Sequence, residues 1–308
     1  MPADPTPDSP AVDDGASQRR TGLITGAASY LIWGFFPLFF TALAPATPLE
    51  ILAHRIVWSL VAVTFVLVAL RRPWSWLRTL LTGGRLPRIT AAALFIATNW
   101  LTYIWAVNNG HVVEGSLGYF INPLVNIVLG VVLFGEKMTP RARVGVLFAL
   151  AGVGVIAWEH WQGLWISLVL ALSFGLYGAV KKGGLLPGLE GLFVESAVLM
   201  PLALPFLLWL GWQGTGLFGV DARLTGMLVL AGVLTALPLF LFAVAASRLP
   251  FGVIGVLQYL NPTLQFLLGI TVLGQHVNAS YWAGLVLVWI GSVIYLTGAL
   301  HPGRRRPA

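Results

Sequence analysis

The amino-acid sequence predicts an all-α integral membrane protein, ten transmembrane helices built as two inverted five-helix repeats. Three observations carry that reading. Apolar residues fill 57% of the 308 positions and charged residues 9%, with a mean hydropathy of +0.85. Apolar stretches of about 20 residues, the length that crosses a bilayer, therefore follow one another along the chain. A polar stripe with a proline inside it is written twice, as GSLGYFINPLVNIVLGVVLFGE over 115–136 and IGVLQYLNPTLQFLLGITVLGQ over 254–275. Finally, the basic residues collect on one side of the alternating loops.

A shift of 139 places superposes Asn122 on Asn261, Pro123 on Pro262 and Gly130 on Gly269. It continues into the next span, where Gly145 meets Gly284 and Gly152 meets Gly291. Tyr119, Asn122 and Asn126 lie at i, i+3 and i+7, one face of a helix, and Gln258, Asn261 and Gln265 keep that spacing. Pro123 and Pro262 each remove a backbone donor, so they are read as kinks or hinges. Two readings compete for the stripe. Amides hydrogen-bond between membrane helices as structural glue, or they line a solute pathway between internal repeats. Duplication of the whole stripe favours the pathway.

Ten spans are expected near 21–43, 50–70, 88–107, 113–134, 141–158, 163–180, 190–210, 225–245, 250–273 and 280–300. Residues 1–19 are Pro- and Asp-rich and read as a disordered tail without a signal peptide's apolar centre. Residues 20–160 form the first repeat, 161–300 the second, and 301–308 a basic tail. Of the 18 Lys and Arg, all fall on one side of the loops except Arg223, on the other, and Arg55, inside a span. That bias predicts cytoplasmic termini. Five helices per repeat, an odd number, turns the second copy upside down.

In the first span, Tyr30, Trp33 and Pro37 share a face, and Phe174-Gly175 of the sixth span stands where Trp33-Gly34 stood. Trp33 lies too deep to be an interfacial anchor, which leaves packing or pathway lining. The second span opens with His54 and Arg55 one turn inside its outer end. Either Arg55 reaches outward while His54 pairs with Glu50 at i, i+4, or the two are gating or solute-facing groups. Glu195 of the seventh span corresponds to His54 under the repeat but lies near the inner end, which argues against an Arg55–Glu195 ion pair. Asn99 and Tyr103 share a face of the third span. The fifth and tenth spans carry little polar chemistry. Gly145, Gly152, Gly284 and Gly291 leave smooth faces there, through which homodimerisation is expected.

The runs NWLTYIWAVNNGHVVEGSLGYFINPLVNIVLGVVLFGE, YLIWGFFPLFF and EILAHRIVWS resemble the RarD branch of the EamA-type transporters, within the drug/metabolite transporter (DMT) superfamily. The resemblance covers about residues 20–300 and implies a bacterial inner-membrane location. It also implies a central cavity lined by the first, third and fourth helices of each half. That cavity would include Trp33, Asn99, Tyr103, Tyr119, Asn122, Asn126, Tyr177, Gln258, Asn261 and Gln265.

These readings converge on a permease that moves a small organic solute by alternating access. A neutral, amide- and aromatic-lined cavity suits zwitterionic, neutral or amphiphilic solutes such as amino acids, their derivatives or drugs, and suits strongly anionic ones poorly. His54, Arg55 and Glu195 are the candidates for coupling or gating. With no cysteine, disulfides, thiolate metal sites and cysteine nucleophiles are excluded, and no GxxxxGK[ST] loop is present. No cofactor, metal or nucleic acid is expected, and the partners are the lipid bilayer and the solute. The alternatives are a lipid-carrier flippase and, from another class, an intramembrane enzyme. The enzyme would need a nucleophile–base set that the sequence does not offer.

Overall fold

A computed structural model describes residues 11–82, 85–135, 138–181, 188–249 and 251–300. The first span is α1 (Ala11–Gly34) followed by α2 (Phe36–Thr41), broken at Phe35, with Pro37 in the first turn of α2 where a missing N–H is harmless. α3 (Pro48–Ala69) starts at Thr47, whose hydroxyl accepts from the Glu50 N–H at 3.3 Å. Short α4 (Ser75–Thr82) leads to α5 (Leu86–Asn108) and α6 (Val112–Phe134). Gly135 ends α6 at φ +65°, a left-handed position that favours glycine. α7 (Pro140–Lys181), α8 (Gly188–Trp212) and α9 (Ala222–Ala246) follow, α9 capped by the Asp221 carboxylate. α10 (Phe251–Leu257), α11 (Leu260–Thr271) and α12 (Ala279–Leu300) complete the chain.

Among the described residues there is no strand. Among the described residues nine stretches are long and apolar enough to cross a membrane, and Ala279–Tyr295 adds a shorter tenth. The fold is the expected ten-span membrane architecture. One expectation is corrected: residues 11–19, read as part of a disordered tail, are helical. The prolines stop at Pro10, and the helix begins immediately after it. Residues 1–10 and 301–308 lie outside the described residues.

The single helical stretch α7 holds two spans, Pro140–Trp158 and Trp161–Lys181. Its first half runs antiparallel to α12, with Gly145 against Gly291 and Gly152 against Gly284. α12 in turn runs parallel to α6, since the Tyr281 hydroxyl donates to the Val113 carbonyl and Trp289 meets Phe120. The second half runs parallel to α6, Gly163 meeting Glu114 and Gly175 meeting Val125. The chain therefore reverses in the corner between the spans. Trp158 and Trp161 stand exposed at that corner, as aromatic residues do at a membrane–water boundary.

Contacts occur in pairs related by the duplication. α1 lies on α9 as the second half of α7 lies on α5, while α3 meets α8, and α6 meets α11, across the symmetry axis. A Cβ at Gly34 would come within 2.8 Å of Leu264, and one at Gly175 within 2.8 Å of Val125. Val125 is the repeat image of Leu264, so Gly34 and Gly175 perform the same service in the two halves. The α7–α12 crossing is self-complementary, because the pair Gly145–Gly291 becomes Gly284–Gly152 under the 139-residue shift. This corrects the expected dimer surface. The glycine faces of the fifth and tenth spans are covered by each other within one chain, Gly145 and Gly152 each meeting the backbone of the tenth span and Gly284 and Gly291 the backbone of the fifth.

Candidate functional site

Between the halves lies a cavity of about 1230 Å³. Its lining includes Leu70, Arg72, Glu190, Ser247 and Arg248, all at the end of the bundle where the basic residues collect. It therefore opens at the basic end. At the opposite end the chain closes over it. Phe40 packs edge-on against Tyr103, the Leu217 N–H donates to a Glu50 carboxylate oxygen at 2.7 Å, and Phe218 stacks on His54 at 4.9 Å.

Near the closed floor, Arg55 faces inward and is only 4% exposed. α3 places it there, seven residues from the start of the helix and so about 10 Å deep at 1.5 Å per residue. Its Nε donates to the Thr235 hydroxyl at 2.7 Å, and its guanidinium sits 4.2 Å from the Trp100 ring centroid and 5.4 Å from that of Phe36. Cation–π contacts of this kind replace part of the lost hydration. The outward-reaching Arg55 is thus overturned, because Thr235 and Trp100 on α9 and α5 draw it in. The His54–Glu50 pairing is overturned as well. Glu50 is engaged by the Leu217 N–H, and buried His54 lies under Phe218, outside the cavity lining.

The amides divide between glue and lining. Asn99 donates to the Leu170 carbonyl at 2.8 Å and to the Ser173 hydroxyl at 3.1 Å, and accepts from the Tyr119 hydroxyl at 3.2 Å. The Gln265 amide donates to the Asn261 side-chain oxygen at 2.8 Å and the Trp33 carbonyl at 3.2 Å, tying α11 to α1. The Tyr103 hydroxyl, Asn122 Oδ1 and Gln265 Oε1, by contrast, are buried without a hydrogen-bond partner. Unpaired buried groups of this kind cost free energy and call for an explanation, such as a ligand.

Near the mouth, on α7 and α8, the Lys181 ammonium donates to Glu195 Oε1 at 2.7 Å and to the Tyr177 hydroxyl at 2.9 Å. Tyr177 donates to the same carboxylate. Glu195, like Arg55, lies seven residues into its helix, but from the basic end. Arg55 and Glu195 share one cavity without pairing, as inversion requires.

Of the ten candidates for the pathway, nine line the cavity: Trp33, Asn99, Tyr103, Tyr119, Asn122, Tyr177, Gln258, Asn261 and Gln265. Asn126 does not. It is exposed on α6 beside Gly175, where α7 closes onto α6. The two prolines differ. α6 continues unbroken through Pro123, whereas the second copy breaks at Gln258–Tyr259, one turn before Pro262. Pro262 then falls in the first turn of α11, where no N–H is needed. Sequence reasoning missed Trp100, Thr235 and Lys181 as lining residues. Only the i, i+4 spacing of Tyr177 and Lys181 hinted at the last.

The model of the EamA-like transporter family matches residues 20–158. The protein RarD of Streptomyces exfoliatus is 46% identical over 294 residues, spanning 95% of this chain and 93% of that protein. The chain belongs to the EamA-like transporter family. Within this family it also resembles a protein named as an uncharacterized transporter of Pseudomonas aeruginosa, 39% identical across 94% of this chain and 97% of that one. A solved crystal structure shares the fold, with a TM-score of 0.56 at 17% identity over 94% of this chain and all of the other. The chain is a multi-pass membrane permease of the drug/metabolite transporter type.

Proposed function

We propose that this permease moves a small organic solute across the bacterial inner membrane by alternating access, with both termini in the cytoplasm. The cavity of about 1230 Å³ set between two inverted halves and open at one end is the observation that supports this best. With the basic end cytoplasmic, as the distribution of Lys and Arg favours, the structure is inward-open. Inverted repeats supply the opposite state when the halves exchange conformations. The layer now closed around Phe36, Phe40 and Arg55 then opens. The basic end, where Leu70, Arg72, Ser247 and Arg248 now line the opening, then closes.

The test is flux in proteoliposomes loaded with a mixed panel of labelled amino acids and drugs, comparing the wild type with Asn122→Ala/Asn261→Ala. Loss of flux in a folded double variant supports the stripe as pathway. Equal flux in both makes the amides helix glue and removes the pathway assignment.

A further inference from the structure

We infer that the solute is anchored by a carboxylate on Arg55, so that small organic acids and amino acids, rather than neutral or cationic compounds, are what this cavity holds. The inference rests on the transport reading above and names its substrate class.

A guanidinium stays charged in proteins and carries five N–H donors in a planar fork. Among the described residues Arg55 donates one of them, from Nε to Thr235, and no carboxylate pairs with it. The remaining four N–H bonds belong to a side chain that lines the cavity. Aromatic faces at 4.2 to 5.8 Å hold the cation in place but accept no in-plane hydrogen bond. The protein thus keeps a charge buried and leaves its fork open toward the space where a solute sits. A carboxylate fills that fork with two parallel bonds.

Two independent features point the same way. The Tyr103 hydroxyl is buried, unpartnered and in the lining of the same cavity as Arg55, one more donor for an anion. The wall also has a net positive charge. Arg55, Arg72, Lys181 and Arg248 line it against Glu190 and Glu195, and Glu195 is already taken by Lys181 and Tyr177. An ammonium group entering the cavity finds no free carboxylate at this depth. A carboxylate finds an unpaired guanidinium, and a cleft of one sign concentrates ions of the other.

The test uses the full chain in nanodiscs and matched probes: 3-phenylpropionate against its amide, L-phenylalanine against phenylalaninamide, and hexanoate against hexanamide. Binding is read as the saturable rise in Tm with probe concentration. At least one acid is expected to bind, at least ~10-fold more tightly than its amide. Arg55→Lys, which keeps the charge and loses the fork, should remove most of that preference. Tyr103→Phe, which removes only an unpartnered hydroxyl, should weaken the acid several-fold while leaving the Tm without probe unchanged. The inference is overturned if no acid raises the Tm of the wild type, if acid and amide bind alike, or if both variants bind the acid as the wild type does. Counterflow of the same probes in proteoliposomes separates the two levels. Movement of amides as fast as acids sinks the carboxylate anchor and leaves the transporter. Acids that bind but never move sink the transporter and leave the site.

Discussion

Replacing Gly145 by alanine puts one methyl into the α7–α12 crossing. Its Cβ would stand 2.7 Å from the Gly291 carbonyl oxygen and 3.0 Å from the Tyr295 N–H nitrogen, against 3.4 Å or more in ordinary contact. Both neighbours are backbone, so no side chain can swing aside and the helices must part by about 0.7 Å. Overpacking of that size costs about 1–3 kcal/mol, offset by the roughly 1 kcal/mol that alanine gains over glycine in a helix. Gly154 supplies the control, because a Cβ there meets nothing within 4 Å and reports the propensity gain alone. At roughly 2–4 °C per kcal/mol, the ~1–3 kcal/mol of overpacking should make Gly145→Ala melt about 2–12 °C below Gly154→Ala in nanodisc thermal unfolding. Gly284→Ala, the repeat image, should fall by a similar amount, since its Cβ would stand 2.6 Å from the Gly152 carbonyl oxygen. Gly145→Ala and Gly154→Ala with equal Tm would refute the close crossing. A loss at Gly145 without one at Gly284 would refute its symmetry.

Three further outcomes follow from the site. Asn99→Leu severs the amide from Leu170 and Ser173 and should lower stability by about 1–3 kcal/mol; an unchanged melting curve would show that the network holds nothing. Asn122→Ala removes an oxygen with no partner, so its Tm should stay near the wild type while solute flux falls; a large stability loss would return Asn122 to helix glue. Glu195→Gln and Lys181→Met each strand the other charge in a partly buried site and should cost roughly 1–3 kcal/mol singly. The double variant should cost less than their sum in a double-mutant cycle, and strict additivity would mean that the pair does not interact.

The sequence made the architecture legible because the membrane forces a simple code. Span lengths, the odd number of helices per repeat and the matched glycines at 145, 152, 284 and 291 are all periodic or duplicated features. Where those glycines pack was not legible. A stripe of small residues reads the same whether it meets a second copy or its own image 139 residues away. The direction of Arg55 depends on Thr235, 180 residues later, and on Trp100, neither of which shares a local pattern with it. Asn126 keeps the helical spacing of its stripe, yet Gly175 brings α7 over that level of α6. The i, i+4 spacing allows a His54–Glu50 pair, but the loop carrying Leu217 and Phe218 claims both residues. The candidate site was therefore readable as a set of polar positions. The division of those positions between glue and open lining came only from tertiary contacts.

In the proposed alternating access one cavity opens in turn to the two sides of the membrane, and the absence of cysteine allows a direct test. Ala246 lines the cavity near the basic end, and its repeat image, Val107, is 5% exposed. Single-cysteine variants at the two positions, in right-side-out and inside-out vesicles, are treated with a membrane-impermeant thiol reagent with and without a transported solute. Ala246→Cys should label only from the basic face. Val107→Cys should label only from the opposite face, and a solute gradient should move the two rates in opposite directions. Steady solute flux with Val107→Cys never labelled from either face would contradict the account.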